Sequence, residues 1–205
     1  VDRSTSTDTL AIALAVGSTV ALSVTWRTPK DRLREIVRQS VPVLGVAVVF
    51  DLVAGLTLEK RLEDLLDAEA VLVLLPAFLG VAGALGAILS SRLSTQFHLG
   101  LDDASPLPSR SSIRNITDLA VLGIPVFLIG ALMAHLIAQL TGQSTPGLTD
   151  LVLVTLMAGV LATMLMILVA YYTTMGAFRL GLDPDTYGIP TVTSTLDLVG
   201  VFTLI

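Results

Sequence analysis

The sequence holds no cysteine among its 205 residues. A disulfide framework, a thiolate metal site and a cysteine nucleophile are therefore all excluded. Charge is also scarce: 14% of residues are Asp, Glu, Lys or Arg, where soluble domains carry about a quarter. Basic residues are fewer than acidic ones, 12 against 17, for a formal charge of -5. That balance argues against a nucleic-acid partner, because phosphate binding needs a basic surface. Glycine-rich phosphate loops, zinc spacings such as HExxH and nucleophile elbows are missing too. The two histidines, His98 and His135, do not stand one helical turn apart, and they read as interfacial polar residues rather than a metal or catalytic pair.

What is present is apolar length. The chain is 53% hydrophobic with a mean hydropathy of +0.83. Five long apolar stretches cover 39–58, 70–93, 117–140, 149–175 and 188–205, and each as a helix spans a hydrocarbon core of roughly 30 Å. A soluble core of this size has no interior in which to hide them, so lipid is their solvent. The fold expected is an all-α integral membrane bundle of five transmembrane helices. An additional apolar segment, Leu10 to Val24, is too short for a span. Trp26, Arg27 and Lys30 follow it where a signal peptide would have its cleavage site, so it reads as an interfacial or extra helix. The domain division expected is thus 1–34, an N-terminal helix with a basic linker, and 35–205, the membrane domain.

Orientation follows from the cations. Arg27, Lys30, Arg32, Arg34 and Arg38 precede the first long span; Arg92, Arg110 and Arg114 flank the second connection, and Arg179 the fourth. The opposite side holds only Lys60 and Arg61 among five acids. The positive-inside rule then places the start of the first long span in the cytoplasm and the C-terminus outside, in a multi-pass protein of the cell membrane.

Ionisable side chains inside hydrocarbon cost at least about 2.5 kcal/mol each and mark function by default. Asp51 and Asp197 fall well inside predicted spans. Helical spacing aligns Pro190, Thr193, Ser194 and Asp197 on one face, a row of oxygen donors leading to a carboxylate. Hard cations such as Mg²⁺ favour oxygen ligands and keep much of their hydration shell. The bland alternative is that the hydroxyls bond their own helix and Asp197 pairs within the bundle. Asp118 and Asp150 begin spans and read as helix caps. Gly80, Gly83 and Gly86, followed by Ser90 and Ser91, read as a close-packing face. Pro190 and the glycine-flanked turn from Gly181 to Gly188 suggest a broken or entering helix. One chain offers few acids for a divalent ion, so a two-fold homodimer, or a heterodimer with a paralogue, bringing two copies of Asp197 together is expected from charge balance.

At this point two motifs carry a resemblance. Phe78-Leu79-Gly80-Val81-Ala82-Gly83-Ala84-Leu85-Gly86 with Ser91-Arg92-Leu93-Ser94-Thr95 and Gly100, and later Asp183-Pro184-Asp185-Thr186, Gly188, Pro190 and Thr193-Ser194-Thr195-Leu196-Asp197, resemble the second- and fifth-helix signatures of MgtE-type magnesium transporters. The likeness is closest to their archaeal and eukaryotic solute-carrier-like branch, and it covers about 35–205. It implies a five-helix unit pairing into a magnesium pore, with Mg²⁺ as the transported ion. Asp197 would be the pore aspartate, Asp51 an acidic position of the first helix, and Asp185 a residue of the cytoplasmic mouth. Ala84 and Gly86 stand where family members often carry Asn and Glu or another polar residue, which weakens the polar contribution of the second helix. What precedes Glu35 is too short to build the family's bacterial cytosolic magnesium sensor. The function expected is channel-like divalent cation transport, not an enzyme activity. The alternatives are a Na⁺- or H⁺-coupled exchanger and, more remotely, an intramembrane metal-dependent hydrolase using Asp51 and Asp197.

Overall fold

The computed structural model of the chain describes residues 16–20, 23, 31–61 and 69–204. Five long helices follow one another: α1 (Asp31–Lys60), α2 (Glu69–His98), α3 (Arg110–Thr141), α4 (Leu148–Arg179) and α5 (Pro184–Leu204). The first four each contain one of the apolar stretches and α5 covers the fifth up to residue 204; no strand occurs among the described residues. Residues 16–20 and 23 are helical; the rest of the short N-terminal segment, and most of the 1–34 division, lie outside the described residues. By internal packing the chain forms two units, Val1–Pro42 and Val43–Ile205. The boundary falls within α1.

Among the described residues four helices, α1 to α4, are long and apolar enough to cross a membrane. At about 1.5 Å per residue, α2 to α4 run for roughly 45 Å, well beyond the hydrocarbon core. Their ends therefore carry the polar residues of both interfaces. α5 is the exception: its 21 residues include Asp185, Pro190, Asp197 and six Ser or Thr, and these dilute an otherwise sufficient length. The expected fifth span is thus present as a helix but is the polar member of the set.

Within the second unit, α2 packs against α3, α4 and α5, and α4 packs against α2, α3 and α5. The α2–α4 pair is the spine, flanked by α3 and by α5. Its interior is a continuous apolar cluster that includes Leu74, Phe78, Leu89, Leu93, Leu119, Phe127, Met166 and Leu196, all nearly or fully buried. In α1 the buried positions Val43, Ala47 and Ala54 recur at helical spacing, while most of its other large aliphatic residues face outward. In a bilayer such surfaces meet acyl chains rather than water.

The helix ends are made locally. α3 and α4 stop at Gly142 and at the Leu180–Gly181 turn, with both glycines in the left-handed region at φ 72° and 69°. The following amides reach back to Ala138 and Ala177, the geometry that glycine permits at a helix C-terminus. α3 begins earlier than its hydropathy suggests. Ser109 caps it and accepts from the Ser112 amide, so Asp118 lies two turns inside the helix and is not its cap. Asp150 does stand in the first turn of α4.

α5 also begins early. The Asp183 carboxylate accepts from the Asp185 amide at 3.2 Å and from the Thr186 hydroxyl at 2.6 Å, and Pro184 occupies the first helical position, where its missing N–H costs nothing. The helix then runs unbroken through Gly188 and Pro190. The expected break is absent because Pro190 removes a single backbone bond, and the threonine hydroxyls of this helix bond its carbonyls.

Candidate cation pathway beside the last helix

α5 is placed by glycines. A Cβ on Gly86 of α2 would overlap Val192 Cγ1 and lie 2.9 Å from Leu196 Cδ1. One on Gly83 would touch Thr193 Cγ2 at 3.6 Å. Further along the crossing, a Cβ on Gly200 would overlap Leu79, and one on Gly188 would overlap Ser90 Oγ and approach Thr174 Oγ1 to 3.2 Å. Ser90 and Thr174 are fully buried and share a 2.8 Å hydrogen bond. A buried hydroxyl pair thus joins α2 to α4 under the glycine of α5. Gly80, by contrast, faces open space. Of the three glycines in the second-helix signature, two make the contact and one does not.

This crossing fixes the rotation of α5. Val192, Leu196 and Val201 go into the core, and Ser194 is buried beside them. Thr193 packs along Gly83 and donates to the carbonyls of Ile189 and Pro190, both at 3.1 Å. Thr191 and Thr195 likewise donate one turn back, to Tyr187 and Thr191. The donated protons satisfy helix carbonyls and leave hydroxyl oxygen lone pairs to accept. Asp197, half-buried, lies in the second half of the helix.

Asp51 is exposed on α1, and its charge acts on Asp197 despite the sequence separation. Among the described residues no basic group acts on Asp197, and α5 contains no Lys or Arg. Asp185 is exposed in the first turn of α5, about 18 Å from Asp197 along the helix axis at the standard rise, so the two do not share one site. Among the described residues, no group of three His, Asp or Glu side chains is arranged to hold a metal ion. The histidines stay apart. His98 ends α2 with Nδ1 2.8 Å from the Ser94 carbonyl oxygen, and His135, near the far end of α3, contacts Thr145 and Gln139.

A second polar cluster escaped the sequence reading. Asp102, nearly buried in the α2–α3 connection, accepts hydrogen bonds from Ser109 and Ser112 at 2.5 Å each. Tyr171 donates to the Ser105 carbonyl at 2.7 Å and Arg179 Nε to the Ala104 carbonyl at 2.7 Å. The connection is strapped to α4 at the end of the bundle where α5 begins. Its only signal in the chain is Asp102 seven and ten residues before two serines.

A family model described as "divalent cation transporter", MgtE, matches residues 75–205. The chain belongs to the MgtE family. The match takes in α5 entirely and most of α2, so the glycine-set crossing lies inside the MgtE region. Among characterised proteins, the chain is 27% identical over 190 residues to solute carrier family 41 member 3 of Mus musculus, covering 80% of this chain and 38% of that protein. It is 31% identical over 170 residues to solute carrier family 41 member 2 of Mus musculus, covering 78% and 29%, and 30% identical over 173 residues to the member 2 protein of Macaca fascicularis, again 78% and 29%. The chain therefore spans between about three- and four-tenths of the length of these relatives. No solved structure matches it. With its span-length helices, this MgtE-family chain is a multi-pass membrane protein.

Proposed function

We propose that this chain conducts divalent cations, magnesium foremost, across the membrane through a passage that residues 35–205 form with a second copy, and that Asp197 is the group at which the ion pauses. The observation that carries this is electrostatic. Asp51 and Asp197 lie in helices of the membrane domain, the charge of Asp51 acts on Asp197, and among the described residues no basic group acts on Asp197 to offset it. Two such carboxylates are costly in lipid unless a cation from outside the chain compensates them. A divalent ion does so with its charge, and a second Asp197 related by a two-fold axis matches that double charge with two carboxylates.

Mg²⁺ holds its water tightly and is met by few carboxylates with oxygen donors around its hydration shell. Thr193 supplies such a donor one turn before Asp197, Asp51 supplies a second acid, and Asp185 draws cations to the mouth. The membrane potential provides the drive, about 4.6 kcal/mol per divalent ion for each 100 mV. Nothing in the site requires a second chemical step. The basic residues of the α2–α3 connection and of the α4 terminus put that end, and hence Asp185, in the cytoplasm under the positive-inside rule.

The test is flux into proteoliposomes with a Mg²⁺-sensitive dye. Wild-type protein should carry Mg²⁺ without imposed Na⁺ or H⁺ gradients, and Asp197→Asn should lower the rate at least tenfold while leaving melting temperature and helicity unchanged. Full flux in Asp197→Asn rejects the site. Flux that appears only with a Na⁺ or H⁺ gradient replaces the channel by an exchanger.

A further inference from the structure

On the flank of the bundle away from α5, α3 and α4 leave a groove of about 290 Å³. Its floor is set by a tight contact: a Cβ on Gly159 would lie 2.7 Å from the Phe127 ring, and Phe127 stacks on Phe78 behind it with ring centroids 5.0 Å apart. Its walls are Val121, Ile124, Val160 and Met164, each more than half exposed. Thr163 is the one polar residue among the lining side chains. The groove is apolar, long and open to the hydrocarbon.

Following α3 toward its N-terminus, helical spacing keeps one face in line with this groove. At 100° per residue, Arg110, Ile113 and Thr117 fall below Ala120, Val121 and Ile124, and Arg114 borders the same face. Asp118 points further from it. Arg110 and Arg114 are exposed. Arg110 is the first residue of α3, where the helix dipole adds positive potential. From Arg110 to Ala120, the near end of the groove, is about 15 Å along the axis, which equals half of a hydrocarbon core roughly 30 Å thick. A headgroup at Arg110 therefore hangs an acyl chain into the groove.

We infer that the α3–α4 groove is a binding site for one anionic phospholipid, its acyl chain lying on Gly159 and Phe127 between Val121 and Met164, and its phosphate at Arg110 and Arg114. The choice of occupant rests on charge and depth together. An uncharged tail alone would not engage the two exposed arginines, and a soluble anion would leave the groove empty. This site does not depend on the transport reading, and its residues are not those beside α5. Its position against α4, whose far end straps the Asp102 connection, gives a bound lipid a hold on the end of the bundle where α5 starts.

The absence of cysteine and the surface position of these residues make the test direct. Purified protein in an uncharged detergent is titrated with phosphatidylglycerol or with phosphatidylcholine of the same chains, and bound lipid is counted by native mass spectrometry. Wild type should hold one phosphatidylglycerol more tightly than phosphatidylcholine. Arg110→Gln should weaken phosphatidylglycerol about fivefold, the effect of removing about 1 kcal/mol per basic residue at a membrane surface, and leave phosphatidylcholine unchanged. Val121→Trp, which fills the groove, should lose both lipids. Leu140→Trp, a substitution at an exposed position near the other end of α3, should bind as wild type and controls for the added ring. Equal retention of the two lipids by wild type, or unchanged phosphatidylglycerol binding in Val121→Trp, overturns the site. Cross-linking of Val121→Cys between two copies in lipid would also overturn it, showing that a second chain covers the groove.

Discussion

Gly80 and Gly86 stand on the same helix and take the same substitution, but the structure assigns them opposite outcomes. Replacing either with alanine removes a glycine from a helix interior, a gain of about 0.8–1.0 kcal/mol. At Gly80 the new methyl meets nothing within 4 Å, so the gain should survive. At Gly86 it meets Val192 Cγ1 and Leu196 Cδ1, the latter at 2.9 Å, with Met166 Cγ at 3.2 Å. Val192 and Leu196 are fully buried and sit on the helix that carries Asp197, so the methyl must push α5 away from α2. Overpacking of this kind costs about 1–3 kcal/mol. Because the propensity gain cancels between the two sites, Gly86→Ala should be about 1–3 kcal/mol less stable than Gly80→Ala. Val192→Ala alone leaves a small cavity, but in the double variant the new methyl occupies the vacated space. The pair should therefore be more stable than the sum of its parts by about 0.5–3 kcal/mol, the range for residues in contact. Equilibrium unfolding of the four proteins in mixed micelles measures the cycle, and Mg²⁺ flux should fall in Gly86→Ala and return in the double variant. Equal stabilities of Gly80→Ala and Gly86→Ala, or strict additivity with Val192→Ala, would refute the α2–α5 crossing as described.

Other consequences are smaller. Ser90→Ala breaks the buried hydroxyl pair with Thr174 and should cost about 0.6 kcal/mol, the average for such bonds between membrane helices, and no more than about 1.7; the same unfolding assay reads it, and Thr174→Val added to Ser90→Ala should cost little more. Asp102→Ala leaves the Ser109 and Ser112 hydroxyls without their acceptor, for about 1–3 kcal/mol. Faster hydrogen exchange in the first turn of α3, with that of α4 unchanged, is the expected signature. Asp183→Ala removes the cap of α5 at a cost of about 0.5–2 kcal/mol, and should fray its first turn and lower flux while Thr186→Val, which loses only the side-chain bond, has the milder effect.

Much of this protein is written locally. Lipid as solvent requires every backbone group to be satisfied within its own segment, so apolar length alone names the helices, and the five stretches reappear as α1 to α5. The exceptional residues are legible for the same reason: an acid such as Asp51 or Asp197 stands out against a run of Val, Leu and Ala. The family likeness of the second and fifth helices was legible as well, because both motifs are contiguous. Helix starts were not, since Ser109 and Asp183 act through side-chain bonds that hydropathy does not register, and α3 and α5 each begin before their apolar stretch. Nor does spacing tell Gly86 from Gly80, because a close approach depends on where two helices cross, and that point is set by the whole α2–α4–α5 contact. The action of Asp51 on Asp197, the strap from Asp102 to α4 and the α3–α4 groove come likewise from side chains far apart along the chain. Composition decides what enters the membrane; only packing decides which of those residues face one another.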